Sequence, residues 1–225
     1  MDWEAGRSSF ALAVVTAIVL IPFGILLARW LAFTQHRSKV IIEALTMLPL
    51  LLPPTVIDFY MLSVFGRGSP IGAWLDQVMG VQLVFTFEGF VFASMLINIP
   101  FMVQPLQRAF AAIPEDVREA AWVCGLSHWQ TWWRVELPLA WPGLLAGIAL
   151  TIAHTLGEFG VVLMVGGSIA GETKTLSIAI YDRVQSFDNA AAALMAVTLV
   201  AFSIVAIAVV LTTGAPSGRS REPSP

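Results

Sequence analysis

Residues 114–138, PEDVREAAWVCGLSHWQTWWRVELP, form a polar island between two long apolar runs. The stretch reads as two short helices joined by a glycine. Pro114 suits a first helical turn, where a missing N–H costs nothing, and Glu115 and Asp116 lie where the positive end of a helix dipole favours carboxylates. Val117, Ala120, Ala121 and Cys124 recur at i, i+3, i+4, i+7 and predict a narrow apolar stripe. Gly125 suits the left-handed conformation that ends a helix, and Ser127 with Gln130 matches a capping box that starts another. Trp129, Trp132 and Trp133 share a face of that second helix, and Pro138 coincides with the return to apolar sequence. A simple tether needs none of this small-residue and aromatic surface. Amphipathic helices of this kind lie on lipid headgroups or fit a groove in a partner.

The surroundings of the island set the class. Of 225 residues, 57% are hydrophobic and 12% charged, against about 25% charged in soluble domains, and the mean hydropathy is +0.80. The reading is an all-α integral membrane protein. A net charge of −3 and the lack of clustered Lys and Arg exclude a nucleic-acid-binding face. Cys124 is the single cysteine. It cannot form an internal disulfide, has no His or Cys at metal-ligand spacing, and is expected to be a packed small residue; no metal site is expected. The N-terminus MDWEAG is acidic and the first apolar run is too long for a signal core, so no cleavable signal peptide is expected.

A helix needs about 20 apolar residues to cross a bilayer. Five segments qualify, at about 9–33, 40–65, 83–106, 139–166 and 190–212, within one transmembrane domain (1–213) that carries the polar loop 108–138. The tail 214–225, rich in Pro, Ser and Gly, is expected to be disordered and cytoplasmic. Pro49, Pro53 and Pro54 must kink or break the second span; the bend either serves packing or shapes a path through the membrane. Asp58 is expected near the outer end of that span, within reach of water. Residues 66–82 form a turn-rich loop. Asn98, within the third span, is expected to be satisfied by a neighbouring helix or by backbone, with pore lining as the alternative. In the fourth span Gly143 and Gly147 form a GxxxG pattern that allows another helix to approach closely. His154 and Glu158 lie four residues apart in the same span, on one helix face, where an ionisable pair marks a functional place by default. The stretch 168–192, SIAGETKTLSIAIYDRVQSFDNAAA, is too polar to span.

Arg29, Arg37, Lys39, Arg108, Arg118, Arg134, Arg219 and Arg221 fall on one side of this topology; Arg7, Arg67, Lys174 and Arg183 fall on the other. The positive-inside rule then places the N-terminus outside, and the island and C-terminus in the cytoplasm.

Glu119-Ala120-Ala121, followed by Gly125 and by Leu137-Pro138, resembles the EAA loop of membrane subunits of binding-protein-dependent ABC importers. In that family the loop is a cytoplasmic coupling helix that docks on an ATPase subunit. LPLLLPPTV (48–56), with Pro53 and Pro54, resembles the corresponding helix of molybdate permeases. Gly157-Glu158-Phe159-Gly160 resembles the Gly-Glu-Phe/Tyr-Gly signature of molybdate, tungstate and sulfate permeases, with Phe159 on the molybdate side. His154 departs from the Arg that relatives often carry there, which puts a fixed positive charge beside the anion path in doubt. Glu158, when ionised, cannot favourably bind an oxyanion; it either positions backbone amides or a basic partner at the gate, or makes a structural hydrogen bond. Gly171-Glu172-Thr173-Lys174-Thr175-Leu176 is similar to a segment that leads into a short external helix. Lys174 there either meets an anion or a binding protein, or is a solvated loop charge.

No G-x-x-x-x-G-K-[ST] loop exists and neither lysine follows a glycine, so the chain does not bind ATP in that way. No catalytic residues and no cofactor are expected. The resemblance, covering roughly residues 10–212, implies an ABC importer type I permease with two permease chains, two ATPases that carry ATP and magnesium, and an external (periplasmic) molybdate-binding protein. It places the chain in a bacterial inner membrane. Five helices are few for a closed path, which points to a homodimer. A proton-coupled secondary transporter using Glu158, His154 and Asp58 would call for paired internal repeats, and none is convincing. A scaffold without transport leaves His154 and Glu158 unexplained.

Overall fold

The computed structural model describes residues 2–160 and 162–214, and among them every regular element is helical. The elements are α1 (Trp3–Phe33), α2 (Lys39–Leu51), α3 (Pro54–Phe65), α4 (Pro70–Trp74), α5 (Phe87–Ala111), α6 (Glu115–Val123), α7 (His128–Thr131), α8 (Leu137–Gly157), α9 (Leu176–Gln185) and α10 (Asn189–Gly214). Wide π-turns at Leu75–Met79, Trp132–Glu136 and Val162–Gly166 extend or join them.

Three helices form the body: α5 packs most extensively, on α8 and on α1, α1 and α8 also touch, α2 lies on α5, and α10 lies on α8 and α9. One apolar cluster joins Leu20, Leu31, Met102, Leu106, Phe110 and Leu144, and a second joins Leu12, Met61, Phe90, Ile97 and Val165. The GxxxG expectation has a direct cause here. A Cβ on Gly147 would lie 2.8 Å from the Met102 carbonyl oxygen, and one on Gly143 would lie 2.8 Å from that of Pro105. Any side chain would therefore push α8 off α5.

Trp3–Phe33, Phe87–Ala111 and His128–Gly157 are each long and apolar enough to cross a bilayer. α2 and α3 are apolar enough only when taken together, and the pair is bent by 108° at their junction, the shape of a broken span or of a re-entrant loop. The break falls at Leu52-Pro53, where both residues are extended, and Pro53 immediately precedes the first residue of α3. Proline cannot donate the next helical hydrogen bond, so the chain turns. In α10 the apolar stretch Asn189–Val205 is shorter. Beyond Gly214, the tail expected to be disordered lies outside the described residues.

Several expectations need correction. The fourth span does not begin afresh at residue 139: the second island helix passes through the π-turn Trp132–Glu136 into α8 as one helical run, with Pro138 directly after that turn. Pro114 caps α6 rather than entering it. The fourth span does not continue to residue 166 as a helix; α8 ends at Gly157 with Glu158 extended. The loop 66–82 contains α4, capped by Ser69 on the Gly72 amide. Cys124 is exposed, and of the stripe at Val117, Ala120, Ala121 and Cys124 only Ala121 is buried. Asp58 does not reach water: it is 0% exposed.

Candidate functional site

Two places bring the singled-out residues together. The first is a cleft of about 700 Å³ where the α2–α3 break faces α5 and the end of α8. Pro54, His154, Gly157, Glu158, Phe159 and Gly160 line it; Pro53 caps α3 beside it and is not part of the lining.

The helix end places Glu158. Because α8 stops at Gly157, Glu158 leaves the helical path and its carboxylate turns toward α5. There Ser94 Oγ donates to Oε2 at 3.0 Å and Asn98 Nδ2 donates to Oε1 at 3.2 Å. Asn98 Nδ2 also meets the Ser94 carbonyl at 2.8 Å, while its Oδ1 lies 3.2 Å from His154 Nδ1. His154 Nδ1 is 3.8 Å from Glu158 Oε1, and its ring stacks on Phe101 with centroids 4.1 Å apart. The pair thus meets across a helix end and not, as the spacing predicts, along one helix face. Asn98 is satisfied from a neighbouring helix, as expected.

Asp58 is the residue whose placement sequence reasoning missed. Neither of its carboxylate oxygens has a hydrogen-bond partner among the described residues. A Cβ on Gly160 would lie 3.5 Å from Oδ2 and 3.3 Å from the Pro54 side chain, so the signature segment passes close to α3 with little room to spare. Among the described residues no Lys or Arg lines the cleft. An anion inside it would meet the Thr55 hydroxyl, the His154 imidazole, backbone groups and the Glu158 carboxylate rather than a fixed cation. Such a lining suits passage better than tight retention.

The second place is the island. Glu119 and Ala120 are exposed on α6, and Gly125 has φ +84°, the left-handed value that ends the helix. Its N–H donates to Trp122 O at 2.9 Å and Leu126 N–H donates to Ala121 O at 3.1 Å, which closes the turn. Ser127 and Gln130 complete the capping box of α7. The rings of Trp129, Trp132 and Trp133 pack together, with Trp129 and Trp133 half or more exposed. Leu137 and Pro138 open α8.

Beneath α6 lies a group that the sequence did not suggest. Glu136 is buried, and Arg29 approaches it from α1 with Nε 2.5 Å from Oε2 and Nη2 3.3 Å from Oε1. Arg118 approaches from α6 with Nε 3.1 Å from Oε1. The Arg118 guanidinium sits 3.9 Å from the Phe33 ring centroid. Arg29 and Glu136 are 107 positions apart, so no local spacing could have signalled the contact.

Lys174 belongs to neither place. It pairs with Asp182 of α9 at 2.6 Å. α9 nevertheless touches the cleft: Ser177 Oγ donates to Leu156 O at 3.0 Å, and the rings of Tyr181 and Phe159 are 5.0 Å apart.

Residues 20–212 match the family described as binding-protein-dependent transport system inner membrane component. The chain is 44% identical over 207 residues to the molybdenum transport system permease protein ModB of Azotobacter vinelandii, covering 92% of this chain and 91% of that protein. It is 32% identical over 207 residues to the sulfate transport system permease protein CysT of Escherichia coli (strain K12), covering 92% of this chain and 74% of that one. It also superposes, with TM-score 0.77 and 16% identity, on a chain of a bacterial ABC transporter that imports the acidic polysaccharide alginate, covering 94% of this chain and 78% of that one. At that identity the likeness concerns the fold.

Proposed function

The chain belongs to the family of binding-protein-dependent transport system inner membrane components, and from that premise we propose that it is the permease subunit of an ATP-driven importer carrying molybdate across the cytoplasmic membrane. One observation carries the reading. A single helical run, His128–Gly157, begins in the island that bears Glu119, Ala120, Ala121 and Gly125 and ends at the cleft beside Glu158. Force applied at one end reaches the other without crossing a flexible loop.

The proposed assembly has two copies of this chain, two cytoplasmic ATPases that supply ATP and magnesium, and an external binding protein that delivers the oxyanion. The chain itself is not an enzyme. It crosses the membrane five times, with its N-terminus outside, the island in the cytoplasm, and α2–α3 and α10 among the spans. Closure of the ATPase pair around ATP moves α6 and rotates α8, and the cleft at Pro54 and Gly157–Gly160 exchanges inward for outward access. α9 lies on the external side, and its contacts with Leu156 and Phe159 support a route by which a docked binding protein acts on the gate. Lys174 is a contact for that protein through the face it shares with Asp182. The likeness to a sulfate permease supports tungstate or sulfate as alternative cargo, since all three are tetrahedral dianions.

The test is uptake of radiolabelled molybdate into proteoliposomes holding this chain, its ATPase and its binding protein, for wild type and Gly125→Trp. A Cβ at Gly125 meets no neighbour within the chain, so the substitution strains φ +84°, at a cost of about 1–2 kcal/mol, and sets an indole on the face proposed to dock the ATPase. The expected result is ATP-dependent uptake that falls about tenfold or more in the variant while the complex still assembles. Uptake driven by a proton gradient without the ATPase would overturn the reading.

A further inference from the structure

Resting on that permease reading, we propose that Arg118, Glu136 and Arg29 form the transmission joint through which movement of the ATPase-docked helix α6 reaches the membrane body. α6 has little other grip. Ala121 is its one buried residue, and its more extensive contacts go to α7 and the π-turn at Trp132–Glu136. Its exit turn at Gly125 is closed by hydrogen bonds within α6 and the turn itself, from Gly125 N–H to Trp122 O and from Leu126 N–H to Ala121 O, and not by bonds to α1 or α8. A helix attached in this way would tilt under load unless a side chain fixed its angle.

Arg118 fixes it. The residue precedes Glu119 directly, its side chain is 18% exposed, and its guanidinium is clamped between the Glu136 carboxylate and the Phe33 and Trp122 rings at 3.9 and 5.3 Å. A planar guanidinium held by charge on its edge and aromatic rings on its face has little freedom to rotate. Glu136 ends the π-turn from which α8 departs, and it also binds Arg29 near the end of α1. One buried carboxylate therefore ties α6, α1 and α8 together. The π-turn adds a residue to the helical path, a device that re-aims the side chains following it and often marks functional places. Here it ends on the residue at the centre of the joint.

The joint makes a claim that a merely structural ion pair does not: breaking it should separate ATP hydrolysis from transport. The experiment measures molybdate imported per ATP hydrolysed in proteoliposomes holding the whole complex, for wild type, Glu136→Gln, Arg118→Gln and Arg118→Lys. Co-purification of the ATPase checks assembly. The expected result is that both Gln variants keep the ATPase bound and hydrolysing while the ratio falls about fivefold or more, and that Arg118→Lys, which keeps the charge but not the planar face, falls between Arg118→Gln and wild type. Gln variants with a wild-type ratio would overturn the joint and leave the permease reading intact. Parallel loss of hydrolysis and uptake, or loss of the ATPase from the complex, would reduce the contact to a structural tether and overturn it too. A wild-type protein without ATP-driven uptake would instead remove the permease reading on which the joint rests.

Discussion

Glu136 and Glu158 are the same residue type, both buried, flanking the two ends of α8, and their surroundings differ in kind. Glu136 is met by two guanidinium groups. Glu158 is met by a serine hydroxyl, an asparagine amide and an imidazole, with unpartnered Asp58 close to the same segment across Gly160. A carboxylate between two arginines is committed to its charge and geometry, because leaving either arginine unmatched in a poorly solvated place is costly. A carboxylate among neutral hydrogen-bonding groups can rearrange, since alternative partners of similar strength are at hand. The difference fits a rigid connection at the island and a movable constriction at the cleft.

The largest expected effect tests the rigid end. Glu136→Ala leaves two arginine charges without their shared partner and should lower stability by about 3 kcal/mol, near the low end of the buried-pair range because both arginines keep some exposure. Thermal unfolding in detergent measures it, and a loss no greater than that of Glu158→Ala would break the contrast. The next effect tests the movable end. Asn98→Ala removes the donor to Glu158 Oε1 and the oxygen facing His154, and should cost about 1–3 kcal/mol. It should also change uptake more than Glu136→Gln changes it per unit of stability lost, since the cleft itself is altered. The smallest effect is a control on both. Lys174→Gln breaks a partly exposed pair with Asp182 and should change stability by no more than about 1 kcal/mol. A larger loss in that unfolding assay would mean that the pair helps hold α9 against the cleft and is more than a surface contact.

Much of the island was legible because its cues are local. The capping box at Ser127 and Gln130 and the left-handed Gly125 each act within a few residues, and the structure realises both. The break at Pro53 and Pro54 and the close approach at Gly143 and Gly147 were legible for the same reason: a missing N–H and a missing Cβ act wherever they stand. The apolar stripe failed at Cys124 and Val117 because periodicity reports which residues share a face, not whether anything covers it. Asp58 was misplaced because its distance from the span's end suggested water, whereas the 108° bend turns it inward.

The sequence alone determined that this is a helical membrane chain, where its island lies, where its helices cap and break, and which motifs it shares with the permease family, since composition and short-range stereochemistry settle those questions. Tertiary structure alone decided the pairing of its carboxylates. The donors to Glu136 come from 107 and 18 positions away and those to Glu158 from 64 and 60. Whether a buried charge is locked by arginines or cradled by neutral groups depends on what folding brings within about 3 Å, and no spacing along the chain encodes that distance.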